Sequence, residues 1–517
     1  MAEEDLIFGK NRHFFGGIEP SNMQNFTAAI EGEHVKITAQ LPADTVINGQ
    51  TLCTVEGAVI RRNTTDYPKD EFDGEEVAII KTSTTFVDSE TSATGTYYYA
   101  AFPFTTQGVY NRNKANRTSV TPKKRDYLFG YDLVKSTSSP SGRVSYPDDV
   151  DNANFTPAKM NFGGSFSYGD WNFAPGEKFM PRPCMLTYAG VVDHYLNPNN
   201  YTQKAEGGAS KVADTSFGGN AMMEWPKIYT KRWEKGGVYH FRCSDTPQDE
   251  SWECWSNYER LNNQIDHFYT PIYFGSNVSS KLRSISGQAN MVNQNATTEI
   301  NYAKANGSDW YTEVLADRLL IQDLLVMMGK STDGQTVFGS GRSSGINSSA
   351  VNTGTMNSRG LFWGSKNGTD GVKVFGMEHF WGNLWRCTAG WMNVNGTQKV
   401  KLTRGTKDGS TVRDYNTDGN GYKTVSGATP SGSPGGYINS MKTEGFGRIP
   451  ITASGSSSTF EADSLYYSNS GTMYAFVGGY WGRDLQCGPF GAYLTLTPSF
   501  SGLSYGAALS CKPLATA

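Results

Sequence analysis

TMYAFVGGYWGRDLQCGPFGAYLTLTPSFSGLSYGAALSCKPL, residues 472–514, is the stretch from which the fold of this chain is read. Short apolar runs alternate with Gly-rich turns, the pattern of brief strands joined by tight connections. Its end, YGAALSC (505–511), reads as a closing strand. Between the strands, Tyr480, Trp481, Phe490, Tyr493, Phe500 and Tyr505 lie among Gly, Ser and Thr, and Arg483, Asp484 and Gln486 share one loop. Tyr and Trp bring contact area at low rotamer cost, while small polar residues let loops fit closely. The segment therefore predicts a binding surface rather than a catalytic centre. Strand alternation sends half of these rings inward, with Trp481 and Phe490 expected to be the most buried.

The rest of the chain is β-rich as well. HVKITAQL (34–41) alternates with Val35, Ile37, Ala39 and Leu41 on one face, and the turn Asn48-Gly49 follows. CTVEGAVIRR, EEVAIIK, TTFVD and TYYYAAFPF continue the series to about Arg117, as expected of an antiparallel β-sandwich. The polar, basic run 111–125 reads as a connection. Residues 309–328, DWYTEVLADRLLIQDLLVMM, are predicted as one long helix with Ser308 and Asp309 as caps and Gly329 as stop. Its Leu and Met stripe reads as core. The domain reading is an N-terminal segment 1–30, a sandwich 31–117, a linker 118–125 and a large domain 126–517.

Composition narrows the function. Gly makes up 58 of the 517 residues, above the usual ~7%. Aromatics reach 13%, so a core has much to bury and disorder is not expected. The net charge of −3 leaves no footprint for nucleic acid or an anionic membrane. No apolar run approaches the ~20 residues of a membrane span, and MAEEDLIFGKNR lacks a signal core, so synthesis in a cytoplasm without standard export is expected.

Seven widely spaced Cys contain no CxxC pair and read as buried, reduced thiols. His379, beside Glu378, reads as a satisfied structural histidine, and Asp193-His194 likewise. No paired-His spacing, nucleophile elbow or phosphate loop is present. Asp148, Asp149 and Asp151 lack the spacing of a calcium loop. No catalytic residue, metal or cofactor is expected.

EHFWGNLWRCTAGW (378–391), followed by VGGYWGRDLQCGPFGAYL (477–494), resembles the formylglycine-generating-enzyme type of C-type lectin fold. More closely, the second segment is similar to the C-terminal domains of phage tail and receptor-binding proteins, some of them diversified by retroelements. The framing residues are Gly478-Gly479-Tyr480-Trp481, Gly488-Pro489-Phe490 and Gly506-Ala507-Ala508-Leu509-Ser510. TYYYAAFPFTTQGVYNR (96–112) is similar to immunoglobulin or fibronectin type III modules of such proteins. The oxidase branch of the fold needs a close cysteine pair, whereas Cys487 stands alone with Cys511 next, so the resemblance implies the fold without that chemistry.

The expected fold class is thus β-rich α+β, an immunoglobulin-like sandwich followed by a C-type-lectin-like domain. The resemblance implies a virion adhesion protein, a tail-fibre tip or receptor-binding subunit, that binds a host cell-surface protein or glycan. It implies docking to other virion proteins through the N-terminus, and a homo-oligomer, a trimer by analogy. A head fibre or capsid decoration is the alternative, and an oxidase or depolymerase the least favoured reading. The ligand-binding residues between the frame positions are Tyr480, Trp481, Arg483, Asp484, Leu485, Gln486, Tyr493, Thr495, Phe500, Leu503 and Tyr505.

Overall fold

Residues 17–31, 34–91, 95–121, 125–163, 165–345 and 349–515 are described by the computed structural model. They form a β-rich α+β protein that divides into two compact units, Met1–Asp126 with Thr246–Trp252, and Tyr127–Asp245 with Glu253–Ala517.

Among its described residues the first unit has two larger antiparallel sheets and a two-stranded hairpin. One orders Asn25–Glu31, His34–Gln40 and Thr84–Asp88, and the other Glu75–Ile80, Val55–Asn63, Tyr97–Thr105 and Arg117–Val120. Alternation sends Val35, Ile37 and Ala39 into a core shared with Ala58, Ile60, Tyr99 and Ala101. Leu41 falls past the strand end and is half-buried. Asn48 and Gly49, both at positive φ, close the hairpin Thr45–Ile47/Gln50–Cys53. Buried Asp88 accepts from Arg62 Nη1 and Tyr99 Oη at 2.7 and 2.9 Å, which ties the sheets together. Two boundaries differ from expectation. Asn25–Glu31, expected outside the sandwich, is a strand of its first sheet, because it pairs along its whole length with His34–Gln40. The second sheet runs on to Val120, three residues past the expected end, because Arg117–Val120 pairs with Tyr97–Ala100. The first 16 residues of the expected docking segment lie outside the described residues.

The second unit holds a four-stranded, a seven-stranded and a large mixed sheet. The four-stranded sheet orders Val144–Ser145, Leu128–Val134, Val238–Ser244 and Tyr229–Lys235. In the seven-stranded sheet Leu509–Cys511 lies between His267–Pro271 and Trp310–Thr312. The large sheet centres on Trp385–Val394, next to Thr472–Val477, Ala492–Leu496 and Ser464–Tyr467 in turn.

The helix expected over 309–328 is a strand followed by a helix. Trp310–Thr312 pairs with Leu509–Cys511, and the helix occupies Leu315–Gly329, with Val314 at its N-cap and Lys330 in the left-handed cap position. Asp309 cannot serve as cap, since its carboxylate receives Arg260 Nε at 3.2 Å and its carbonyl receives the Lys512 N–H. A fully buried strand is apolar on both faces and so continues a helical stripe without a break. Two further helices gave no sequence signal. They are α1 (Ala296–Lys304), capped by Asn295, and α3 (Gly334–Phe338), capped by Asp333; the long helix between them is α2.

α2 is buried from Leu315 to Met328. A helix without a solvent face must satisfy each of its polar side chains inside the protein. Asp317 accepts from Ser510 Oγ (3.1 Å) and Lys512 Nζ (2.7 Å) of the closing segment. Arg318 Nη2 and Gln322 Nε2 both donate to the Pro489 carbonyl, at 3.0 and 2.7 Å. Asp323 accepts from Tyr131 Oη (2.7 Å), Tyr239 Oη (3.1 Å) and Arg232 Nε (2.7 Å) of the four-stranded sheet. Glu313, just before the helix, bridges Arg318 and Arg386.

Candidate binding surface

The turn at Gly488-Pro489-Phe490 is held from several sides. Arg318 and Gln322 take the Pro489 carbonyl, and the buried Asp463 carboxylate accepts the Phe490 N–H at 2.7 Å. Burial raises the Asp463 carboxyl well above its ordinary range. Gln335 of α3 donates to the carbonyls of Asp484 and Cys487. Gly478 and Gly479 stand at φ 86° and 84°, and a side chain on Gly479 would overlap Cys487. The Cys487 thiol, pushed up by burial, donates to the Tyr480 carbonyl at 3.3 Å and closes the base of the loop 480–486. All seven cysteines are buried and unpaired, as the spacing predicts.

On this frame lies a continuous aromatic patch. Tyr493 packs on Tyr466 (4.9 Å between ring centres), Trp385 (5.2 Å) and Tyr505 (6.3 Å), and Phe500 meets Tyr505 edge-on at 5.0 Å. The Arg483 guanidinium lies 4.7 Å from the Tyr466 ring centre and 5.5 Å from that of Tyr480, and donates to Tyr466 Oη at 2.7 Å. Tyr466 Oη in turn donates to Gln486 Oε1 at 2.8 Å. Tyr480 meets Trp481 at 5.1 Å.

The structure thus brings Tyr480, Trp481, Arg483, Gln486, Tyr493, Phe500 and Tyr505 into one neighbourhood. Asp484 and Leu485 project from the short 3-10 turn beside it, and Thr495 follows Tyr493 two residues along the same strand. Leu503 is 64% exposed and shares with Trp481 a hollow of about 140 Å3 that Ala289 and Val292 also line. Trp481, expected to be among the most buried rings, is half-buried because it faces this hollow, whereas Phe490 is buried.

Tyr466 is the residue of the aromatic patch that sequence reasoning missed. Its strand, Ser464–Tyr467, runs parallel to Ala492–Leu496 with Tyr466 opposite Tyr493, a pairing between distant segments that leaves no local signal.

Elsewhere, His194 is satisfied by Asp193 at 2.7 Å. Asp149 pairs with Arg242, and Asp151 accepts the Leu128 N–H, so these acids serve the fold. Among the described residues no group of His, Cys, Asp and Glu has the arrangement of a metal site. His379 contradicts its reading as a satisfied histidine. It is 3% exposed, yet neither ring nitrogen has a hydrogen-bond partner in the structure, because apolar packing seals both of them away from polar groups. Comparison with known proteins finds no family that the chain matches and no curated protein that matches it.

Proposed function

We propose that the chain is an adhesion protein of a phage particle, a tail-fibre tip or receptor-binding subunit, that holds a host cell-surface protein or glycan on the surface formed by residues 480–505 and Tyr466. The observation that carries this reading is the aromatic patch itself. Half-buried Tyr rings, a guanidinium stacked among them, and the exposed Leu485 and Leu503 make rigid anchors beside small polar residues. Buried hydrogen bonds to Pro489 and Phe490 hold the turn beneath it, which lowers the ordering cost of binding. In the same reading the first unit is an immunoglobulin-like spacer, the N-terminus docks to the virion, and the chain forms a homotrimer whose repeated weak contacts add up as avidity.

Fluorescently labelled chain should bind the bacterial cells on which the phage carrying this gene grows. The variant with Tyr480→Ala, Arg483→Ala and Leu503→Ala should lose that binding with unchanged unfolding temperature. Tyr493 is left intact because it packs on Trp385 at the edge of the core. Normal cell binding by the triple variant would sink the proposal. Imaging the labelled protein on the particle separates a tail location from a capsid one.

A further inference from the structure

A hollow of about 450 Å3 opens on the second unit, and Arg260, Lys304, Arg404, Arg413 and Asp414 line it. The one carboxylate in this lining is already taken. Asp414 accepts from Arg404 Nε (2.9 Å), Arg404 Nη2 (3.2 Å) and Lys304 Nζ (2.8 Å). Arg260 gives only its Nε, to Asp309 at 3.2 Å, and its two terminal nitrogens have no partner among the described residues. Arg413 is exposed and has no hydrogen bond or ion pair among the described residues. Four positive charges therefore stand against two carboxylates, Asp414 and Asp309, an excess of two. Like charges gathered in one hollow repel each other unless a counter-charge joins them. Bracing Asp414 uses Arg404 and Lys304 alone, so it does not account for Arg260 and Arg413.

The backbone that carries these cations is held from beneath. Buried Glu259 accepts the N–H groups of Leu261 and Asn263, both at 2.7 Å, and so fixes the loop of Arg260. Buried Lys401 donates to the carbonyls of Gly405 (2.6 Å) and Val412 (2.8 Å) and to Ser410 Oγ (2.6 Å). The Asp414 N–H donates to the Arg404 carbonyl at 2.6 Å, so Arg413 is pinned through both of its chain neighbours. Lys304 ends α1 and lies 5.1 Å from the Tyr311 ring centre, and the Arg404 guanidinium lies 5.2 Å from the same ring. The unengaged N–H groups belong to Arg260, Lys304 and Arg413, whose side chains reach solvent.

We infer that this hollow binds a phosphoryl group, free or carried on an ester, whose oxygens accept from the unengaged N–H groups of Arg260, Lys304 and Arg413. A phosphoryl group carries about −1.5 to −2 at neutral pH and offers three strong acceptors, which matches the excess of two charges. A carboxylate brings one charge and leaves the second unmet, and a neutral sugar brings none. The hollow is larger than a phosphoryl group, and Leu261, 49% exposed on its lining, offers an apolar surface to whatever carries it. The inference is independent of the adhesion reading, since none of these residues belongs to the surface at 480–505.

The test is calorimetric titration of the full chain, at low salt, with glucose 6-phosphate, inorganic phosphate, glucuronate and glucose in turn. At least one of the phosphates should bind with Kd on the order of 1 mM or tighter. Glucuronate should bind at least about threefold more weakly than that phosphate, and glucose at least about tenfold. Inorganic phosphate binding as tightly as the ester, or more so, supports the free anion as ligand, and weaker binding supports an organic phosphate. Arg260→Ala and Arg413→Ala should each weaken binding at least about threefold with unchanged unfolding temperature. Arg413→Lys, which keeps the charge, should retain most of the affinity. Failure of both phosphates to bind, glucuronate or glucose binding as tight as theirs, or phosphate binding undiminished in both alanine variants overturns the inference.

Discussion

Replacing Asp323 with Asn removes one negative charge from the centre of the largest core. Asp323 is 2% exposed and receives Arg232 Nε at 2.7 Å, together with the hydroxyls of Tyr131 and Tyr239. Asn keeps the shape and one carbonyl acceptor, which still serves a tyrosine. Its amide NH2 then faces Arg232, a donor against a donor, and the buried guanidinium loses its counter-charge. Breaking a buried pair from one side costs about 3–5 kcal/mol, a large part of the roughly 5–15 kcal/mol that holds a domain folded. Urea unfolding followed by Trp fluorescence should show the midpoint fall with the slope unchanged. Adding Arg232→Met removes the stranded charge and should recover most of the loss, because apolar replacement of a buried pair is often neutral. A single-variant loss under about 1 kcal/mol, or a double variant no more stable than the single, would refute the reasoning.

Two other consequences are open to the same unfolding assay. Burial raises the Glu299 carboxyl to about 8 from about 4.5 in the unfolded chain, so the folded state binds the extra proton between these values. Its contribution is fully present below pH 4.5 and fades as pH rises through 8; stability should fall by on the order of 2 kcal/mol from pH 6 to 8, and Glu299→Gln should flatten that slope. An unaltered slope in the variant speaks against the assignment. Gly488→Ala sets a methyl into the Asp463 carboxylate that holds the Phe490 N–H, and should cost about 2–4 kcal/mol; a loss within error would show that the turn has slack.

Particular residues show what the amino-acid sequence carries and what it leaves out. Alternation at Val35, Ile37 and Ala39 names its own buried face, because one side of that strand meets water. Trp310–Thr312 is buried on both faces, so its apolar residues merged with the helix after it, and only the partner strand Leu509–Cys511 reveals the break. The aromatic patch is legible wherever it lies within one run of sequence. Tyr466 was hidden because strand pairing, not proximity along the chain, sets it beside Tyr493. His379 misled for a related reason: its aromatic neighbours suggest a filled core, while an unpartnered imidazole is a property of packing in three dimensions.

The position of Leu509–Cys511 also sets an order of events during synthesis. Trp310–Thr312 joins His267–Pro271 and the rest of the seven-stranded sheet through this strand, yet about two hundred residues separate it from Trp310 along the chain. A ribosome therefore releases both of them long before their shared neighbour emerges. Until then they offer open strand edges, and buried Trp310 and Tyr269 lack their pairing with Cys511. A chain cut short before Leu509 would leave both of these edges open, and such a truncation should aggregate more readily than the full chain.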